Sequence, residues 1–110
     1  MLLNRGEWNN KKIVSGSWIR ESTSPYSDLG ILGGYGYCWW AARQGLHYPF
    51  VNLPDGTFSA RGTGEQNLVV IPAWNMVIVH LTEVKSPDDP MMSVVDFGNL
   101  LLIILEQRMF

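Results

Sequence analysis

The chain has 110 residues, 46% of them hydrophobic and only 16% charged, with a formal net charge of -2. That length gives one domain with a single core, and so high an apolar share on so small a body predicts that part of the surface is an interface. The weak negative balance, without a basic run, excludes the electrostatic footprint of a nucleic-acid binder. Cys38 stands alone, which excludes an internal disulfide and a cysteine zinc site. Between Tyr37 and Trp39 it reads as a buried small hydrophobe rather than a nucleophile. The first residues lack the pattern of a signal peptide, and the run Leu100 to Leu105 is far short of the about 20 residues that span a bilayer. The chain is expected to be soluble and unexported, with no membrane partner.

In chain order, residues 1–5 read as the last turn of a helix, capped by Gly6, with a turn at Asn9-Asn10. Ser15 is a candidate N-cap for a short helix to about Glu21, with Trp18 and Ile19 on its buried side. Ser22 to Gly34, with Pro25, Asp28 and three glycines, reads as loop. The aromatic stretch Tyr35 to Ala42 predicts a strand. Trp39 and Trp40 then face opposite ways, one into the core and one along a groove or edge. An aromatic wall of a ligand cleft and plain core packing both fit that pattern. Residues 43–57, with Gly45, Pro49, Pro54 and Asp55-Gly56, read as a loop feeding the centre of the fold.

That centre runs from Phe58 to Val84: a strand, a Gly-rich corner, a second strand, a turn on Pro72 and Asn75, and a third strand. Leu68 to Ile71 is unbroken apolar sequence, and Val77, Val79 and Leu81 oppose Met76 and Ile78 on the third strand. A sheet with one wet face alternates apolar with polar, so these strands predict cover on both sides. Ser86-Pro87-Asp88-Asp89-Pro90 then breaks the chain, with Asp89 able to cap and Pro90 able to open a helix. Val94, Phe97, Leu101, Ile104 and Leu105 carry helical spacing, and Arg108 suits the closing end of the helix dipole. The fold class is therefore α+β: an antiparallel sheet of three to four strands, a short N-terminal helix and a C-terminal helix packed on the sheet.

Other chemistry finds little footing. His80, among apolar neighbours, reads as a hydrogen-bonded core or edge histidine. His47 sits in a loop with no second histidine at metal spacing. Asp88-Asp89 reads as a cap and loop pair rather than an acid/base dyad. Gly62-x-Gly64 lacks the third glycine and the strand-to-helix order of a dinucleotide site. No cofactor and no metal are implied.

Leu2-Leu3-Asn4-Arg5-Gly6-Glu7-Trp8-Asn9 with Ile13-Val14 and Ser17-Trp18-Ile19-Arg20-Glu21-Ser22-Thr23 resembles the late helical segment of the β-lactamase-related serine hydrolases. Tyr35-Gly36-Tyr37-Cys38-Trp39-Trp40 resembles the family's Tyr-Gly-Tyr-x-Trp-Trp strand. Phe58 to Val84 resembles its last three strands, and Phe97 to Gln107 its C-terminal helix. The family groups class C β-lactamases, penicillin-binding DD-peptidases and related esterases and amide hydrolases. The resemblance implies a partial β-lactamase/transpeptidase-like fold. It covers nearly the whole chain and stops short of the catalytic motifs. The family's Ser-x-x-Lys nucleophile and Tyr-x-Asn proton relay are both missing: no serine here has a lysine three places on, and no tyrosine an asparagine two places on.

By the same resemblance, Ala60-Arg61-Gly62 falls where relatives carry Lys-Thr-Gly or His-Thr-Gly, and the backbone N–H of Thr63 would contribute to an oxyanion hole. Alanine in place of lysine disfavours β-lactam and peptidoglycan carboxylates and favours the esterase or amidase branch. Arg61 becomes a candidate clamp for a substrate carboxylate, against the plainer reading of a solvated strand-end arginine. Two expectations follow from different classes. One is the C-terminal piece of a serine hydrolase, inert alone, which a complementing N-terminal half would complete. The other is a non-catalytic module that reuses the exposed sheet to self-associate, a homodimer first, or to bind another partner.

Overall fold

The computed structural model describes residues 1–83 and 85–107. Its centre is the meander expected from the sequence: β8 (Phe58–Gly62), β9 (Gln66–Ile71) and β10 (Met76–His80), antiparallel throughout. The corner between β8 and β9 turns on Glu65 and Gly64, with φ of 61° and 82°. Pro72–Trp74 forms one 3₁₀ turn before β10, and Asn75 closes it in the left-handed region with its N–H on the Pro72 carbonyl at 3.0 Å. Asparagine tolerates that conformation better than other residues with a Cβ.

The sheet is wider than the three to four strands expected. Six strands run in the order β10-β9-β8-β5-β4-β3, where β3 is Ser27–Asp28, β4 Gly34–Tyr35 and β5 Trp40–Ala41. The single strand expected from Tyr35 to Ala42 is instead a hairpin. Gly36 donates to the Trp39 carbonyl at 2.7 Å, and Cys38 sits at φ 66° on the tip, exposed rather than buried. Aromatic content marks the strands but hides this reversal. Gly36 makes it possible: a Cβ there would meet the Ser22 carbonyl oxygen at 2.4 Å, so only glycine lets the turn lie against the preceding helix. Within the expected loop from Ser22 to Gly34, β3 adds a short edge strand and Gly30–Leu32 a 3₁₀ turn.

Residues 43–57 are likewise no plain loop. β6 (Leu46–Tyr48) and β7 (Val51–Asn52) make a hairpin that buries His47, Tyr48, Val51 and Leu53. Glycine and proline at its ends mask the short alternating runs between them.

At the N-terminus, residues 2–6 form turns rather than a helix, closed by Gly6 (φ 91°) donating to the Met1 carbonyl at 3.0 Å. A small hairpin follows, β1 (Glu7–Trp8) and β2 (Lys11–Lys12), with Asn9 and Asn10 both at positive φ as a two-residue turn requires. α1 spans Gly16–Ser22, and the Ser15 hydroxyl accepts from the Trp18 N–H at 3.1 Å as its N-cap. Ile19 is buried, but Trp18 is exposed, its ring 5.7 Å from Tyr37.

α2 covers Val94–Glu106. It starts later than Asp89-Pro90. Ser93 and Asp96 cap it reciprocally, the Ser93 hydroxyl accepting from the Asp96 N–H and the Asp96 carboxylate from the Ser93 N–H. Asp89 caps the turn before it, accepting from the Lys85 and Ser86 N–H groups. Phe97, Leu101 and Leu105 enter the core with Tyr48, Val51, Leu53, Val69 and Ile71. Ile104, expected on that stripe, is exposed instead. Gly98 allows close approach, because a Cβ there would stand 3.1 Å from the Pro49 carbonyl oxygen. Arg108 and Val84 lie outside the described residues. Among the described residues no helix is long and apolar enough to cross a membrane.

The opposite face of the meander is bare in its outer half. Val77 is 46% exposed, Val79 61% and Leu81 76%, with Met1, Leu2 and Leu3 sharing a depression with Leu68, Val70 and Val77. Leu101→Ala should lower unfolding free energy by about 2–5 kcal/mol in urea titrations. Ile103→Ala, on the exposed side of the same helix, should change it by less than about 0.5 kcal/mol.

Candidate functional site

Strand alternation divides β8. Ser59 and Arg61 point to the side covered by β6 and α2, and Ala60 and Gly62 to the other. On the covered side the Ser59 hydroxyl lies 3.0 Å from His47 Nε2, and Arg61 Nε donates to the same hydroxyl at 3.0 Å. Arg61 Nη2 donates to the His47 carbonyl at 2.7 Å. The guanidinium is held between two rings, Cζ 4.5 Å from the Trp40 centroid and 3.9 Å from that of Tyr48. A planar, weakly hydrated cation suits such a sandwich, where a lysine ammonium would not. Tyr48 continues the chain of contacts, donating to Asn67 Oδ1 at 2.7 Å, while Asn67 Nδ2 donates to Glu65 at 3.0 Å. Register explains the meeting: Arg61 lies opposite Asn67, and Ser59 opposite Val69.

Protonation follows from this packing. Burial, and then the Arg61 charge, lower the pKa of His47 to about 3, so the ring is neutral near pH 7. Because Arg61 donates to the Ser59 oxygen, the hydroxyl proton is left for Nε2, and the ring proton belongs on Nδ1. That nitrogen has no well-formed hydrogen bond; the Ala41 carbonyl favours the proton there only weakly. Burial also raises the Tyr48 hydroxyl and lowers Arg61 from their ordinary values.

A hydroxyl beside a neutral imidazole is the contact used in nucleophilic catalysis. Here both side chains are sealed: Ser59 and His47 have 0% exposure, and among the described residues no carboxylate orients Nδ1. No substrate carbonyl can reach the oxygen, so the pair is part of a structural network. The sequence offered one signal for it: Ser59 and Arg61, two apart on a strand, share a face.

The surface above the network is a cleft of about 380 Å³ lined by Leu32, Trp40, Arg61, Gly62, Thr63, Glu65 and Val94. It brings together four of the residues singled out from the sequence: Trp40, Arg61, Gly62 and Thr63. Ala60 lies on the other face, in a depression of about 240 Å³ with Leu68, Val79 and Leu81. Trp39 packs edge-on against Phe58 at 5.2 Å. Arg61 is thus neither a free strand-end cation nor an uncommitted clamp; it lines the cleft while holding three elements together. A larger depression, about 540 Å³ around Leu3, Asn4, Arg5, Glu7, Asn9 and Asn10, lies at the first hairpin, away from this network.

His80 Nδ1 lies 2.8 Å from the Glu65 carbonyl oxygen, and its ring meets Phe97 at 5.1 Å. Among the described residues no group of three His, Cys, Asp or Glu could hold a metal ion. No family model, no curated protein and no solved structure matches the chain.

Two outcomes test the network. An unfolded histidine takes up a proton below about pH 6.5, whereas His47 stays neutral until about pH 3. The unfolded state therefore binds the extra proton in that window: stability is complete above pH 6.5 and falls as pH drops towards 3. Urea titrations at pH 7.5 and 5.0 should differ by about 2 kcal/mol from this group, and His47→Gln should flatten the difference. Arg61→Met should destabilise by roughly 1–3 kcal/mol by stranding the Ser59 and His47 acceptors, and Arg61→Lys should recover little of it.

Proposed function

We propose that this chain is the C-terminal part of a β-lactamase-like serine hydrolase domain, of the esterase or amidase branch, and that it is catalytically inert alone. The observation that carries the reading is the half-covered meander. β8, β9 and β10 bear a long helix on one side and exposed apolar side chains on the other, where a further layer of a larger domain would lie. The cleft beside β8 supports it, because Gly62 and Thr63 line its rim at the positions that the resemblance assigns to the substrate-facing strand. In this reading the Thr63 backbone N–H steadies a developing oxyanion, and Trp40 and Leu32 form an apolar wall for the acyl or alcohol part of a substrate. On the same reading the nucleophile and its base are supplied by another segment with Ser-x-x-Lys and Tyr-x-Asn, since the Ser59–His47 contact in the cleft's floor is sealed.

A second reading, a non-catalytic self-associating module, is favoured by the bare outer edge of β10. Both readings share one requirement: the exposed sheet needs a partner.

The purified chain should neither hydrolyse p-nitrophenyl acetate nor take up a fluorophosphonate probe. Co-expression with the upstream half of a β-lactamase-like esterase should restore serine-dependent turnover. Labelling of Ser59 in the isolated chain, or complementation that fails although the two halves bind, contradicts the hydrolase reading.

A further inference from the structure

The two edges of the six-stranded sheet are built differently. β3 at one end is two residues long and carries Asp28, paired with Arg43 at 3.4 Å. Short length and charge are the ordinary means of blunting an edge. β10 at the other end has five residues in unbroken register with β9, from Met76 opposite Ile71 to His80 opposite Asn67. It contains no proline, glycine or acidic or basic side chain other than His80, whose ring is turned inward against Phe97. Apart from its ladder with β9, its backbone makes no hydrogen bond on the outer side among the described residues. The nearest acid and base beyond the strand, Glu83 and Lys85, pair with each other at 3.6 Å. A row of open N–H and C=O groups on a regular strand specifies its occupant chemically: another strand.

We propose that this occupant is the β10 strand of a second copy, added antiparallel about a two-fold axis through Ile78. The order Met76-Val77-Ile78-Val79-His80 reads nearly the same in both directions about its centre. That centring pairs all five residues, sets Val77 opposite Val79 of the partner copy, and places Ile78 on the axis. β-branched pairs opposite each other on one face are favourable in an antiparallel ladder, and no like charges meet. On one side the exposed Val77 and Val79 gain neighbours. On the other, Met76 and Ile78, already packed on the core cluster, join the two helix-covered layers. The contact is isologous, so it closes at two copies instead of growing into a fibre. The inference rests on the association part of the preceding reading and needs nothing of its hydrolase part.

Light scattering across a hundredfold concentration range should give a mass rising to twice the 12.4 kDa of the chain. Val77→Lys with Val79→Lys sets ammonium groups opposite each other across the axis. It should hold the mass at 12.4 kDa with an unchanged far-ultraviolet spectrum. Because that variant could also disturb the strand, a second arm uses Val77→Cys with Val79→Cys in a Cys38→Ser background. Oxidation should link position 77 of one copy to position 79 of the other. A chain that stays monomeric throughout overturns both the inference and the association reading. A dimer that survives the lysine pair and forms no such link overturns the inference alone.

Discussion

One helix can cover one face of three strands and no more. The thirteen residues of α2 lay Phe97, Leu101 and Leu105 on Val69, Ile71 and the β6–β7 hairpin, and that contact organises the core. Its geometry leaves a remainder. β9 and β10 are apolar on both sides, and on the face away from the helix Val70 is buried while Val77, Val79 and Leu81 face solvent. Fully burying such a side chain is worth about 1.5–3 kcal/mol, against a net stability of about 5–15 kcal/mol for a typical domain. An uncovered row of them is therefore a large standing deficit for so short a chain.

Beneath the covered face, a polar network does the work that aliphatic packing cannot. Arg61 joins β5 through Trp40, β6 through Tyr48 and the His47 carbonyl, and its own strand through Ser59. Each contact alone is modest, yet removing the guanidinium strands two acceptors together, the Ser59 hydroxyl and the His47 carbonyl. The same arrangement decides the chemistry. It seals a serine and a histidine that would otherwise resemble a catalytic pair, and it holds the cleft rim at Gly62 and Thr63 in place. Rigidity under the cleft and the seclusion of the Ser59–His47 pair have one cause.

Much of this was legible in the sequence, unevenly. Leu68 to Ile71 and the alternating Met76 to His80 announce strands because their pattern is unbroken, and Ser15 announces a cap because its hydroxyl precedes a helical run. The hairpins were hidden. β4 and β5 turn back within one aromatic stretch at Gly36 and Cys38, a reversal that depends on the backbone of α1 lying alongside. β6 and β7 are too short for periodicity to register, though they bury His47 and Tyr48. At the site, the sequence reached Trp40 through the aromatic run and Arg61, Gly62 and Thr63 through a resemblance, but not the hairpin partners of Arg61. His47 and Tyr48 come to it from the β6–β7 hairpin, and Asn67 joins through Tyr48; only hairpin packing and strand register bring them within reach.

On the proposed reading, the exposed sheet face and the open edge of β10 leave the single chain short of contacts that a partner would supply. The thermal midpoint as a function of protein concentration measures that debt directly. Association coupled to folding predicts a midpoint that rises steadily from micromolar to several hundred micromolar chain, because mass action favours the associated native state. A single sharp transition at the same temperature across the whole range would show that one copy is stable by itself, and would contradict the account.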